Sequence, residues 1–146
     1  MITRTNDKIK AIEAYTESTV IKNDGQHFEM EDGSEWLVLD EDEANELARE
    51  EIEDSLWAFN PNFIVRHMGN WDKLTTKQES DLIGALGQIQ GSLCENCNPL
   101  VAAIIEDMDE FVYDAIASDG RWHFLARYDD VEVELEGTDF YAYRIE

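Results

Sequence analysis

The chain has 146 residues, with 34 Asp and Glu against 11 Lys and Arg, for a formal net charge of -23. That field keeps a protein soluble while pushing its compact state apart, and it repels nucleic-acid phosphates and acidic lipid headgroups, which disfavours direct binding to either without a bridging cation. Hydrophobic residues at 43% and aromatics at 10% are too many for a chain held open by its charge. A folded core is therefore expected, as one domain over 1–146 with 1–33 as a peripheral N-terminal extension. No apolar run reaches the ~18 residues of a membrane span, and Met1-Ile2-Thr3-Arg4 lacks the apolar stretch of a signal peptide. The expectation is a cytoplasmic protein with no membrane contact.

In chain order, a first helix is predicted over Asp7 to Tyr15, capped by Asn6, with Ile9, Ile12 and Tyr15 on one face. The turn signals Asn23-Asp24-Gly25 and Glu31-Asp32-Gly33 separate strands over Ser18 to Lys22, His27 to Met30 and Glu35 to Leu39. Asp40 to Phe59 reads as one helix with Ala44, Leu47, Ala48, Ile52, Leu56 and Phe59 at spacings of three and four, and with acids in its first turn where the helix dipole favours them. Asn60-Pro61 stops it. A short helix from Pro61 carries Phe63, Ile64 and Met68.

A longer helix runs from Thr75 or Thr76 to Leu93, with Leu82, Ile83, Leu86, Ile89 and Leu93 as its apolar stripe. Gly84, Gly87 and Gly91 in it suggest close approach of a neighbour. Asn98-Pro99 opens an apolar helix through Ile105. Another begins at Asp107 or Asp109, with Phe111, Val112, Ala115 and Ile116 inward, and Asp119-Gly120 ends it. From Trp122 onward the pattern alternates: Trp122, Phe124, Ala126 and Tyr128 on one strand face, then Val131, Val133 and Leu135 against Glu132, Glu134 and Glu136. A turn at 136–139 leads into Phe140 to Ile145. The fold class is α+β: a helical middle packed on a small antiparallel sheet made of the N-terminal strands and a C-terminal ribbon.

The charge is concentrated. Arg4, Lys8, Lys10 and Lys22 fall in the first 35 residues, whereas Asp40 to Asp54 holds nine acids with Arg49 as its one base. On the helix face opposite the apolar stripe, Asp42, Glu46, Glu50, Glu53 and Asp54 recur about one turn apart, roughly 5–6 Å at 1.5 Å per residue. That spacing approaches the charge density of a nucleic-acid backbone, so the row suits a cationic groove. Glu132, Glu134 and Glu136 form a second anionic strip on the ribbon. Within Ser118 to Asp129, strand alternation puts Arg121, His123, Leu125 and Arg127 on one face, where the polar groups can pair with Glu132 or Glu134.

Cys94-Glu95-Asn96-Cys97 has metal-ligand spacing, but there is no second pair, and His27, His67 and His123 are not spaced as a ligand pair. It closes one helix and precedes Asn98-Pro99, so reduced structural thiols are expected, with no metal or cofactor. The acids lack the EF-hand pattern. No nucleophile motif, HExxH or phosphate loop is present, and an enzyme is not expected.

The segment from about Asp109 to Glu146 resembles small acidic proteins encoded by tailed phages and prophages. The likeness rests on Ser118 to Arg121, His123, Leu125, Tyr128, Asp129 and Tyr141 to Arg144, and Glu41 to Phe59 is similar too, with Ser55 to Phe59. The common pattern has glycine where Trp122 stands and often at Asp130, so this chain lacks the residue best suited to a tight turn after Asp129. The resemblance implies phage origin and the company of DNA mimics, anti-CRISPR and anti-restriction proteins.

The expectation is a non-enzymatic inhibitor in the host cytoplasm, monomer or homodimer, that binds the basic nucleic-acid groove of a host protein through Asp42, Glu46, Glu50, Glu53, Asp54, Glu132, Glu134 and Glu136. Two alternatives are a protein-binding module with an aromatic face around Trp57, Phe59 and Trp71, and a small metal-binding protein using Cys94 and Cys97.

Overall fold

The computed structural model describes residues 3–146; Met1 and Ile2, where the leader reading begins, lie outside the described residues. In chain order the elements are α1 (Thr3–Thr16), β1 (Val20–Asn23), β2 (His27–Met30), β3 (Glu35–Leu39), α2 (Glu41–Asp54), α3 (Pro61–Val65), α4 (Thr76–Leu93), α5 (Asn98–Ile104), α6 (Met108–Asp119), α7 (Arg121–Leu125), β4 (Glu132–Glu134) and β5 (Tyr141–Arg144), with 3-10 turns at Leu56–Ala58, Trp71–Lys73 and Cys94–Cys97. The fold is α+β, and the chain divides into two compact units, Met1–Ala48 with Asp119–Glu146, and Arg49–Ser118.

The first unit is organised by its turns. Gly25 at φ 97° and Gly33 at φ 91° take the left-handed backbone these hairpins need. Asp24 Oδ1 accepts the Gln26 and His27 amides at 3.0 and 2.7 Å, and Asp32 Oδ1 accepts the Ser34 amide at 2.9 Å. Bonds hold both carboxyls below the usual carboxylate range: for Asp24 the His27 amide first, and for Asp32 the Ser34 hydroxyl, which donates to Oδ1 at 2.6 Å, ahead of the Ser34 amide. The strands pair antiparallel in the order β1-β2-β3-β5-β4. The C-terminal ribbon therefore joins the N-terminal strands as expected, with Trp36 opposite Arg144 and Leu39 opposite Tyr141.

One face of the sheet packs Phe28, Met30, Trp36, Val38, Leu135, Phe140 and Ala142 around Ile12 of α1. Each of the larger side chains contributes roughly 1.5–3 kcal/mol through burial. The stretch 1–33, expected as a peripheral extension, thus supplies Ile12, Phe28 and Met30 to this core.

The expected strand at 122–128 is not one. Arg121–Leu125 forms α7, which packs on β5. Gly120 at φ 83° breaks α6, and the Trp122 ring folds back to within 2.2 Å of where a Cβ on residue 120 would sit, so only glycine fits. Arg121 and Leu125, four apart, turn inward together on the short helix, a pairing that strand alternation also groups. Asp130, standing where glycine is common in the resembling proteins, adopts φ 56°, a left-handed backbone that aspartate tolerates better than most residues, so the turn after Asp129 forms.

Lys8 is 3% exposed. Its Nζ donates to Gly25 O and to Glu43 Oε1, both at 2.8 Å, tying α1 to the first turn and to the start of α2. Glu43 also accepts the Asp40 amide at 3.0 Å while Asp40 Oδ1 accepts the Glu43 amide at 2.9 Å, a reciprocal cap. Burial alone would raise the Glu43 carboxyl, but the bonds from Lys8, the Asp40 amide and Gln26 outweigh it and hold it below the usual range.

In the second unit, α2 was expected to run to Phe59 but ends at Asp54. Side chains from elsewhere in the unit draw the chain out of the helix. Asn98 Nδ2 donates to Asp54 O at 2.7 Å, Asn98 Oδ1 accepts the Trp57 amide at 2.8 Å, and the buried Gln90 donates Nε2 to the carbonyls of Trp57 and Phe59 at 3.0 and 2.8 Å. The Asn60 cap and Pro61 then start α3, and Thr75 and Gln78 form a capping box for α4. Phe111 packs against Phe59 and Phe63 at centroid distances of 5.2 and 5.0 Å, and Ile52, Leu56, Ile64, Val65, Leu86, Val101 and Ile105 are buried in the same unit. Two α4 expectations change. Ile89 and Leu93 are exposed, and of its three glycines Gly87 alone meets a neighbour, Pro61, while Gly84 and Gly91 face open space.

Because the folded Glu43 pKa lies below its unfolded value, its contribution is complete above the unfolded pKa and is lost as pH falls through the folded one. Urea-unfolding midpoints are expected to drop between about pH 5 and pH 3, with a shallower decline in Glu43→Gln; equal slopes in the two proteins would show that the Lys8–Glu43 bond is not linked to folding.

Candidate functional site

The carboxylates singled out in α2 follow its apolar face: Ala44, Ala48 and Ile52 are fully buried, and the acids stand opposite. In the first unit Asp42 and Glu46 are exposed; in the second, Glu50 and Asp54 are exposed. Glu53 is half-exposed and engaged by Arg49 Nε at 3.2 Å, while Arg49 Nη1 holds Asp109 at 2.5 Å. Glu53 therefore does not present a free charge equivalent to its neighbours.

The ribbon acids do not form one exposed strip. Glu132 stands opposite Tyr143 and Glu134 opposite Tyr141, so both lie on the face of β5 that carries the tyrosines. Glu132 is drawn inward: Arg121 Nε donates to its Oε1 at 3.1 Å, and the Tyr143 hydroxyl donates to the same oxygen. Glu134 and Glu136 are exposed, but Glu136 lies past the end of β4, in an open groove of about 750 Å³ lined by Arg4, Lys10, Tyr15 and Asp139 among others. The expected pairing of Arg121 with the ribbon is present, made from a helix rather than a strand.

Arg121 is the centre of this cluster. Its side chain is 11% exposed, and its Nη1 also donates to Glu41 and, at 3.1 Å, to Asn45 of α2. The guanidinium lies 4.9 Å from the centroid of the Tyr141 ring. Burial works against its charge, but the bonds to Glu41 and Glu132 outweigh burial and raise its pKa. The Tyr143 hydroxyl is pushed up from its ordinary value by burial and then by Glu132. His123, Arg127 and Tyr128, grouped with Arg121 by sequence, are exposed, and Arg144 rather than Arg121 covers the Tyr128 ring at 4.1 Å.

The two alternative sites fare differently. Phe59 stacks on Phe63 and meets Phe111 at a tilt, Trp57 and Trp71 are half-buried, and Arg66 covers Trp71 at 5.4 Å, so these three aromatics do not make one open face. Cys94 is exposed, Cys97 is buried, and both are free thiols. The group that could hold a metal ion, among the described residues, contains neither cysteine: it is His67, Glu110 and Asp114, whose ligand atoms lie within 4.8 Å of one another. The sequence carried part of this signal in the i, i+4 spacing of Glu110 and Asp114; nothing in it brings His67 to them.

No helix among the described residues is long and apolar enough to cross a membrane. Comparison with protein-family models, curated proteins and solved structures finds no match.

Removing Arg121 leaves Glu132 without its cation beside a buried hydroxyl. Arg121→Ala is expected to destabilise the protein by about 2–3 kcal/mol, toward the lower end for a broken buried pair because Glu41 is solvated. Tyr143→Phe, which removes one hydrogen bond, should cost about 1 kcal/mol. Urea unfolding followed by circular dichroism measures both, and an Arg121→Ala effect no larger than that of Tyr143→Phe would show that the ion pairs contribute little.

Proposed function

We propose that this chain is a non-enzymatic inhibitor that occupies the basic nucleic-acid-binding groove of a host protein, presenting carboxylates where the groove otherwise receives phosphates. The observation that carries the reading is the disposition of charge. The chain bears -23 overall, its most deeply placed cations, Lys8 and Arg121, are turned onto its own carboxylates, and Asp42, Glu46, Glu50 and Asp54 remain exposed on α2. A surface of that kind gives complementary potential and fast, salt-sensitive association with a cationic partner.

The resemblance to phage proteins makes a defence nuclease, a CRISPR effector, or a restriction or repair enzyme in the host cytoplasm the class of target. Glu134 and Glu136 are secondary contacts in this reading. Glu53 and Glu132, already engaged by Arg49 and Arg121, contribute less than the sequence spacing suggests.

Capture from bacterial lysate at low salt, with elution by a salt gradient and mass spectrometry, should yield a nucleic-acid-binding protein that elutes above the bulk of basic proteins. Its affinity should fall steeply with salt. The triple variant Asp42→Lys, Glu46→Lys, Glu50→Lys should bind it at least ~10-fold more weakly with an unchanged circular dichroism spectrum. Unchanged binding by a folded triple variant, or binding indifferent to salt, would overturn the proposal.

A further inference from the structure

We infer that His67, Glu110 and Asp114 form a binding site for a divalent transition-metal ion of the Zn2+ class, independent of the inhibitor reading. All three residues lie in the second unit, and each is placed by local structure. Glu110 and Asp114 are four apart in α6, so their side chains rise from one face of the helix. His67 follows α3 and is brought to that face by a short antiparallel contact in which Met68 pairs with Ile105 and the Glu106 amide donates to His67 O at 2.9 Å.

The imidazole is held in the orientation a ligand needs. Its ring packs between Phe63 and Phe111, at 4.8 and 5.1 Å between centroids, and its side chain is 11% exposed. Nδ1 lies 3.0 Å from Phe63 O. A carbonyl can only accept, so Nδ1 carries a proton; Nε2 then meets the Asp114 carboxylate through a second proton, whose place a metal ion would take. Nε2 points at the carboxylates, 2.9 Å from Asp114 Oδ2. A backbone carbonyl that fixes the distal N–H and frees the other nitrogen is the usual outer support of a metal-bound histidine.

The spacing also fits an ion. With metal–ligand bonds of about 2.1 Å, two ligands at a right angle stand ~3 Å apart and two at the tetrahedral angle ~3.4 Å. The 2.9 Å between Nε2 and Asp114 Oδ2 matches the first, and a carboxylate oxygen of the exposed Glu110 lies within 4.8 Å of both. One imidazole with two carboxylates favours Zn2+ or a neighbouring transition ion over the all-oxygen sets of Mg2+ and Ca2+. With three protein ligands and Glu110 and Asp114 open to solvent, the remaining positions belong to water. The ion would cross-link the segment after α3 to α6 and neutralise two carboxylates.

A chain of this charge also attracts cations without a site, so the test must separate the two. Zn2+ alone is titrated into the full-length protein in a large excess of Mg2+, by calorimetry and by nitrogen–proton spectra of the imidazoles. The expected result is one equivalent bound, with Nε2 of His67 shifted while His27 and His123 stay in place. The variant Glu110→Gln/Asp114→Asn, which keeps side-chain shape, should bind Zn2+ at least ~10-fold more weakly with an unchanged circular dichroism spectrum. Comparable shifts of all three histidines, displacement by Mg2+, or wild-type affinity in the folded variant would each overturn the assignment and leave His67–Asp114 as a hydrogen-bonded pair only.

Discussion

In a chain with 34 acids and 11 bases, a carboxylate that folding partly dehydrates costs stability unless one of the few cations meets it. In the sheet unit that constraint is met twice. Lys8, 3% exposed, sits among Gly25 O, Glu43 and the Phe140 ring, and Arg121 joins Glu41, Asn45 and Glu132 over the Tyr141 ring. Neither is a surface ion pair of the kind that contributes little. Each takes a carboxylate out of the repulsive sum and, with the same bonds, fixes the helix it comes from against another element: α1 at the start of α2, and α7 between α2 and β4. Arg121 holds Glu41 at the start of α2, while Asp42, Glu46, Glu50 and Asp54 of the same helix remain exposed.

The helical unit meets a different problem with neutral polar groups. Where α2 stops, backbone carbonyls and amides would be left without partners, and an unpaired buried group costs about 1–3 kcal/mol. Asn98 and Gln90 take up those of Asp54, Trp57 and Phe59. This lets the chain leave the helix at Asp54, seven positions before Pro61, and sets the Phe59 ring against Phe63 and Phe111. The same aromatic cluster seats His67 beside α6, so the geometry of the candidate metal ligands is a product of how this core packs.

Much of the architecture was legible from local rules. The hairpin turns at Gly25 and Gly33, the Pro61 start of α3, the Thr75 cap of α4 and the stripe Ala44, Ala48, Ile52 all appear where turn chemistry and periodicity put them. The failures have local causes as well. Trp122, Phe124 and Ala126 alternate like a strand, but five residues are too few for period two to be told from one turn of helix, and the decisive facts are the Gly120 backbone and the Trp122 ring lying over it. Ile89 and Leu93 continue a helical stripe past the point where the unit has anything to cover them. Of the candidate site, the acidity of α2 was readable. The engagement of Glu53 and Glu132 was not, because Arg49 and Arg121 reach them by side-chain geometry.

Sequence by itself determined the sign and size of the field, the α+β class, the hairpins and which helix faces are apolar, since these follow from composition and from interactions between residues a few positions apart. Tertiary structure decided which carboxylates are exposed and which are paired, where α2 ends, and that His67 meets Glu110 and Asp114. Those outcomes depend on groups tens of positions apart in the chain, such as Arg121 with Glu41 and His67 with Asp114. Their proximity is set by core packing, which no local spacing encodes.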